Sequence, residues 1–143
     1  MTIRDADYEA LLELRTELRR FLRWSEEQAE ASGLTPAQHQ LLLAVRGHPD
    51  PQGPTIGDVA DYLLLRHHSA VGLVDRAETA GLVVRRKDAG NHSIVRLQLT
   101  PKGSQLLEVL SEIHLEELSH LTPAMHALWD ALERAGRGLT PLT

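Results

Sequence analysis

Residues 55–103 change the period of their hydrophobic pattern from helical to alternating, and this change constrains the fold more than any other feature. Thr55, with Asp58 three residues later, has the pattern of a capping box and begins one short helix. A second helix is predicted from about Arg66 to Ala80. Strand-forming residues follow on both sides of a turn at 88–91. The sequence therefore predicts two short helices and a β-hairpin, in that order.

Apolar spacing sets which faces of these elements are buried. In the second helix, Val71, Val74 and Ala77, with Leu73 beside them, form one stripe, and Gly81 can adopt the left-handed conformation that ends a helix. The three leucines at 63–65, between the two helices, are expected to pack into the core. In the second strand, one face carries Val95, Leu97 and Leu99, and the other carries Arg96 and Gln98.

This order is typical of a mainly α fold with a small β-hairpin wing, the winged helix-turn-helix, whose second helix enters the major groove of DNA. The first turn of that helix, residues 66–69, is polar and carries no acidic group. Arginine there can bind guanine O6 and N7 in bidentate fashion, and Gly72 keeps one position of the helix small. The residues expected to contact DNA are Thr55, Arg66, His67, His68, Ser69, Gly72, Arg76, Arg85, Arg86, Lys87, Asn91, His92, Ser93 and Arg96.

The charge distribution supports a nucleic-acid interface in this segment. Residues 66–102 contain seven lysines and arginines against three acids, a net charge of +4. The whole chain has a net charge of −5, so the remainder carries −9. Attraction to phosphate is local, so an acidic protein with one basic segment is consistent with a DNA-binding region beside a separate assembly region. A solvated basic face without function is the alternative for the charge pattern taken alone.

Three segments together resemble the MarR (multiple antibiotic resistance regulator) family of bacterial and archaeal transcription regulators. They are LTPAQHQLLLAV at 34–45, VDRAETAGLVVRR at 74–86 and LQLTPKG at 97–103. The resemblance covers nearly the whole chain and implies an obligate homodimer, a palindromic operator and control by a small ligand. The wing departs from the family pattern, because Asn91, His92 and Ser93 replace an Asp-Arg-Arg run at its tip. Minor-groove contact would then fall to His92, Arg96 or the basic run 85–87.

The two ends of the chain are predicted to be helical. One helix covers about 5–31, with Leu11, Leu14 and Leu18 on its apolar stripe, and a capped helix with Pro36 at its first position ends near Gly47. After the wing, helices are expected from 100 to about 120 and from 122 to about 134. We therefore expect a single MarR-like domain over 1–143. Its DNA-binding lobe is at 34–103, and its dimerisation helices are at 1–33 and 104–143; closure into a monomeric bundle is the alternative.

Composition excludes several classes of protein. The chain has no cysteine, which excludes disulfides and thiol-based oxidant sensing. No apolar run approaches 18 residues and no signal-peptide pattern follows Met1, so a soluble cytoplasmic protein without membrane contact is expected. No nucleophile triad, phosphate loop or carboxylate pair is present, so catalysis is unsupported and no cofactor is expected.

The eight histidines raise the question of a metal or ligand site. His114, Glu117 and His120 share part of one helix face, but one helix supplies two converging ligands at best, so no metal site is assigned. His39 is either a ligand-pocket residue or a satisfied boundary histidine, and Trp24 is either core or pocket wall.

The function predicted is a homodimeric repressor that binds a pseudo-palindromic operator and is released by a small-molecule effector. The alternative is a winged-helix dimer that senses metal or binds protein, with weak DNA affinity.

Overall fold

The computed structural model describes residues 2–134. Its elements, in chain order, are α1 (Asp5–Ala31), α2 (Pro36–Gly47), α3 (Ile56–Leu63), α4 (His67–Thr79), β1 (Val83–Lys87), β2 (Val95–Leu99), α5 (Pro101–Leu118), a 3₁₀ turn (Ser119–Leu121) and α6 (Thr122–Arg134). The described residues divide into a central unit, residues 26–111, and a terminal unit, residues 2–25 with 112–134. The predicted mainly α fold with one hairpin is confirmed. Residues 135–143 of the predicted dimerisation segment lie outside the described part.

Both predicted capping boxes are present. The Thr35 hydroxyl accepts from the Gln38 N–H at 3.1 Å, and the Gln38 side chain accepts from the Thr35 N–H at 3.1 Å. Thr55 and Asp58 make the same pair of bonds at 3.1 and 2.9 Å. These reciprocal bonds satisfy backbone donors that a helix start otherwise leaves free, which explains why α2 and α3 begin where the sequence predicts.

The core of the central unit is formed by aliphatic residues of α2, α3, α4 and the hairpin. Leu41, Leu42 and Val45 of α2 are buried as predicted. On α4 the buried residues are Ala70, Leu73, Val74 and Ala77. Val71 is only half-buried, so the prediction that it lies on the buried stripe was wrong; the i, i+3, i+4, i+7 spacing that includes Ala70 describes the face better.

The wing is a two-stranded antiparallel hairpin with Val83 opposite Leu99 and Lys87 opposite Val95. Its base is fixed to the loop before α3, because the Leu97 N–H donates to the Pro54 carbonyl at 2.8 Å. Gly53 makes this approach possible: its φ is +90°, and a Cβ there would overlap the Leu97 carbonyl oxygen. Leu97 is fully buried, whereas Val95 is exposed, so the apolar face of β2 is covered only near the base of the wing.

The turn between α3 and α4 differs from the prediction that its leucines enter the core. Leu64 ends α3 in the left-handed conformation, with φ at +54°, and 92% of its surface is exposed. The next residue's N–H donates to the Ala60 carbonyl at 2.9 Å, which closes the helix end. This closure requires the left-handed residue, and its side chain then points to solvent instead of the core. Leu65 is also exposed and Leu63 is half-buried.

In the terminal unit, the apolar stripe predicted on α1 is largely uncovered: Leu11, Leu18 and Leu22 are exposed. Across residues 2–134, no helix is both long and apolar enough to cross a bilayer.

Candidate nucleic-acid interface

The first turn of α4 presents the predicted reading residues to solvent. Arg66 is the N-cap residue and makes no side-chain cap, and His67, His68 and Ser69 occupy the first helical positions; all four are exposed. Within residues 2–134, the side chains of Arg66, His67 and His68 make no hydrogen bond or ion pair, and the turn contains no acidic residue. Among the described residues, this end of α4 therefore combines the positive end of a helix dipole with a guanidinium and two imidazoles that have no side-chain partner.

Gly72 gives space to an arginine of the same helix. An added Cβ at Gly72 would lie 3.1 Å from Nη1 of Arg76, so the Arg76 side chain lies back along α4 over the glycine, toward the reading turn. Arg76 is exposed and has no ion pair among the described residues. The small position that Gly72 provides on α4 is thus occupied, in this structure, by the guanidinium of Arg76.

The basic run of β1 separates into two kinds of residue. Arg85 donates to Asp75 at 2.6 Å and to Glu78 at 2.7 Å, and these hydrogen bonds, with that to Asp75 contributing most, raise the pKa of Arg85 above its ordinary value. Its charge is compensated, and it ties the wing to α4. Arg86 and Lys87 are exposed, with no side-chain partner in the described part of the chain. They are the residues of this run that remain able to bind phosphate.

The tip of the wing is held by polar turns. The Asp88 carboxylate is buried and accepts from the N–H groups of Gly90 and Asn91 at 2.8 and 2.9 Å, which lowers its pKa. The Asn91 side chain accepts from both the N–H and the hydroxyl of Ser93, at 3.1 and 2.6 Å. His92 is exposed at this tip, as are Asn91 and Ser93. Asn91 and Ser93 therefore shape the turn in this structure.

Two other predicted contact residues are engaged within the protein. Arg96 is only 17% exposed in its side chain, and its Nε donates to Asp88 at 3.0 Å. The Thr55 hydroxyl accepts the cap bond described above and is half-buried. The cations left without a carboxylate partner on this surface, within residues 2–134, are Arg66, Arg76, Arg86 and Lys87.

Sequence reasoning missed the contribution of the loop before α3. Asp50, Gln52 and Gly53 all contact the wing. The prolines of this loop indicated rigidity, but no pattern in the sequence connects it to a hairpin more than 30 residues later.

The two candidate ligand residues lie in different units. His39 on α2 is 8% exposed within the central unit, which favours a buried polar residue of the core. In the terminal unit, the Trp24 ring lies 4.8 Å from the His114 ring and 6.0 Å from the Phe21 ring. The imidazole Nε2 of His114 is 2.7 Å from the Ser25 hydroxyl. Trp24 thus belongs to an aromatic cluster between α1 and α5.

The same contacts separate the histidines considered as metal ligands. His114 is engaged with Ser25, while His120 pairs with Glu117 at 3.4 Å. In the part of the chain that the structure covers, no three potential ligands come together as a metal site would require.

Comparison with known proteins shows the same fold, and a family match over part of the chain. Residues 32–92 match the profile of the MarR family. The transcriptional activatory protein BadR of Rhodopseudomonas palustris is 31% identical over 83 residues, which is 58% of this chain and 47% of BadR, so the match spans about half of that relative's length. MepR, a transcription regulator of a Staphylococcus aureus multidrug efflux pump, superposes with a TM-score of 0.71 at 21% identity, covering 93% of this chain and 98% of MepR.

Two further structures carry ligands. A second MepR structure, with a TM-score of 0.66 at 21% identity over 87% of this chain and 94% of that one, is a complex with DNA. CouR from Rhodococcus jostii RHA1, with a TM-score of 0.67 at 20% identity over 90% of this chain and 92% of CouR, is bound to p-coumaroyl-CoA.

Helix, left-handed turn, cation-bearing helix and anchored hairpin define this chain as a winged helix-turn-helix protein. More narrowly, its residues 32–92 are similar to the MarR family, and the related proteins named above are transcription regulators. BadR and MepR are both named as proteins that regulate transcription.

Proposed function

We propose that this protein is a DNA-binding transcription regulator that acts as a homodimeric repressor. The observation that carries the proposal is a set of four exposed cations on α4, its N-cap and the hairpin that have no carboxylate partner among residues 2–134: Arg66, Arg76, Arg86 and Lys87. In a chain with a net charge of −5, these four cations form the kind of surface that phosphate contacts require.

In this proposal the two elements have separate roles. The first turn of α4 enters the major groove, where Arg66 can bind a guanine and His67, His68 and Ser69 meet neighbouring base edges or phosphates. Arg86 and Lys87 bind the adjacent backbone, and His92 takes the tip position. Base contacts then supply sequence preference, and the wing supplies affinity and register.

The terminal unit supports assembly into a homodimer. Leu12 of α1 is 66% exposed and Leu115 of α5 is 71% exposed, and Leu11, Leu18, Leu22 and Leu118 are exposed beside them in sequence. Apolar surface of this extent marks an interface in soluble proteins. Two copies related by a two-fold axis place two reading helices on DNA, so the operator is expected to be pseudo-palindromic. Sedimentation at micromolar concentration should give a species near twice 15.9 kDa; a monomer would exclude this assembly.

Release by a small ligand follows the family expectation, and the aromatic cluster of Trp24, Phe21 and His114 offers rings on which an aromatic ligand can stack. We propose that the protein represses transcription. BadR is named an activatory protein, so repression and activation have to be distinguished by experiment. A reporter fused to the bound promoter should be measured in cells that contain the gene for this protein and in cells that lack it. Higher reporter output in its absence supports repression.

Selection of binding sites from a random-sequence duplex pool tests DNA reading directly. The wild type should enrich a two-fold symmetric site. Arg66→Ala should lose preference at one position per half-site, with a cost of about 1–3 kcal/mol against the selected duplex. Arg19→Ala, which removes an exposed cation from α1, is the matched control and should leave the selected site unchanged. Failure of the wild type to enrich any site would refute the proposal.

A further inference from the structure

The loop at residues 50–54 and the wing share one polar network. Arg96 of β2 donates from Nε to Asp88 at 3.0 Å and from Nη1 to the Gly53 carbonyl at 3.3 Å, and its Nη2 lies 3.6 Å from the Asp50 carboxylate. One guanidinium thus joins the wing tip's buried carboxylate to two residues of a loop that precedes α3. Two of the five N–H donors of the guanidinium are thus used in hydrogen bonds, and its charge is paired with two carboxylates.

Gln52 connects the same two segments a second time. Its side-chain amide donates to Asp88 at 3.2 Å, and its side-chain carbonyl accepts from the Ala89 N–H at 2.7 Å. Asp88 is therefore held by the tip, by Arg96 and by the loop at once. Because so many donors bind the Asp88 carboxylate, the chain that follows β1 is held in one orientation.

The strand register shows why the two arginines at this level of the wing differ. Arg86 and Arg96 are directly opposite each other across the hairpin. Like charges at such positions repel unless one is compensated. Asp88 and Asp50 compensate Arg96, whereas Arg86 is exposed and free. A phosphate approaching Arg96 would have to displace one carboxylate and pass another.

We propose that Arg96 is a positioning residue: it does not contact DNA, but anchors the wing to the loop before α3 and so sets where Arg86 and Lys87 meet the backbone. This inference rests on the proposed DNA-binding function. It assigns an effect on DNA affinity to Asp50, Gln52 and Asp88, none of which carries a positive charge.

Replacement of Asp88 distinguishes anchoring from direct contact, because the two roles predict opposite signs. If Arg96 bound phosphate, Asp88→Asn would free it and remove a negative charge, so affinity would rise. If Arg96 anchors the wing, Asp88→Asn weakens the anchor and affinity for the selected duplex should fall by about fivefold or more. Asp61→Asn removes an exposed carboxylate of α3 and is the charge control; its affinity should stay equal or rise.

Arg96→Lys adds a test of geometry. Lysine keeps the charge but lacks the planar fork that reaches a carboxylate and a carbonyl together. Anchoring predicts that it loses as much affinity as Arg96→Met, and that combining Asp88→Asn with Arg96→Met costs little more than Arg96→Met alone. Retention of affinity by Arg96→Lys, with an additive double variant, would overturn the proposal.

Wing mobility can be read without DNA. The chain contains no cysteine, so His92→Cys introduces one site for a nitroxide label at the exposed tip. In the full-length protein, Asp88→Asn and Arg96→Lys should each increase the label's mobility, while Asp61→Asn should not. Unchanged mobility in both variants would refute the anchor whatever the DNA result. If the wild type bound no DNA but the label responded, the anchor would stand and the proposed function would fail.

Discussion

Replacing Leu64 with glycine should stabilise the protein. Leu64 adopts φ of +54° at the end of α3 and is 92% exposed, so its side chain contributes almost no burial to the folded state. A residue with a Cβ pays about 1–2 kcal/mol in the left-handed conformation, because the Cβ approaches the carbonyl oxygen that follows it. Glycine removes that cost but loses about 0.5–1 kcal/mol more backbone entropy on folding. The expected net gain is about 0.5–1 kcal/mol.

Urea unfolding at fixed protein concentration measures this difference, since self-association would make stability depend on concentration. Leu64→Gly should raise the midpoint without changing the slope m, and Leu64→Asn should do the same because asparagine tolerates the left-handed region. Leu64→Ala keeps the Cβ and should remain within about 0.5 kcal/mol of the wild type. Destabilisation by glycine, or an equal gain with alanine, would show that backbone strain at Leu64 is not the controlling term.

Three further substitutions test the caps and the close approaches. Asp58→Ala removes the acceptor of the Thr55 N–H and should cost about 0.5–1 kcal/mol at neutral pH. That hydrogen bond is the main cause that lowers the pKa of Asp58 from 3.8. The loss of stability caused by Asp58→Ala should therefore be full above pH 3.8 and should disappear as the pH falls through the lowered pKa. A loss that is unchanged at pH 2 would contradict this. Gly53→Ala should cost about 2 kcal/mol or more in urea unfolding, because its Cβ meets the Leu97 carbonyl, while Gly47→Ala, which meets no atom within 4 Å, should not. Gly72→Ala should raise thermal stability by up to about 1 kcal/mol through helix propensity while weakening DNA binding, because the Arg76 guanidinium must move; unchanged affinity would show that its position over Gly72 is unimportant.

Features fixed by local chemistry could be predicted from sequence. The capping boxes at Thr35 and Thr55 and the turn at Gly81 follow from backbone donors and left-handed conformations that nearby residues satisfy alone. The hairpin followed from alternation around one polar turn. The leucines at 63–65 were misassigned because hydrophobicity indicated burial, whereas the helix closure at Leu64 directs its side chain outward.

Charge compensation could not be predicted, because it depends on contacts between distant residues. The sequence showed that Arg85 and Arg96 are basic, but not that Asp75 and Glu78 neutralise the first or that Asp50 and Asp88 hold the second. All of these cations were therefore predicted to contact DNA, although carboxylates pair with Arg85 and Arg96. The contact of Arg66 and the other free cations with DNA stays a prediction.

The salt dependence of DNA affinity tests the central claim most directly. For the selected duplex, the logarithm of the binding constant should fall linearly with the logarithm of salt concentration, with a slope of about −0.9 for each phosphate neutralised. In a dimer, Lys87→Gln removes two such contacts and should reduce the magnitude of the slope by about 2, whereas Arg19→Gln on α1 should leave it unchanged. A slope near zero in the wild type, or the same slope change in both variants, would contradict a DNA interface formed by α4 and the wing.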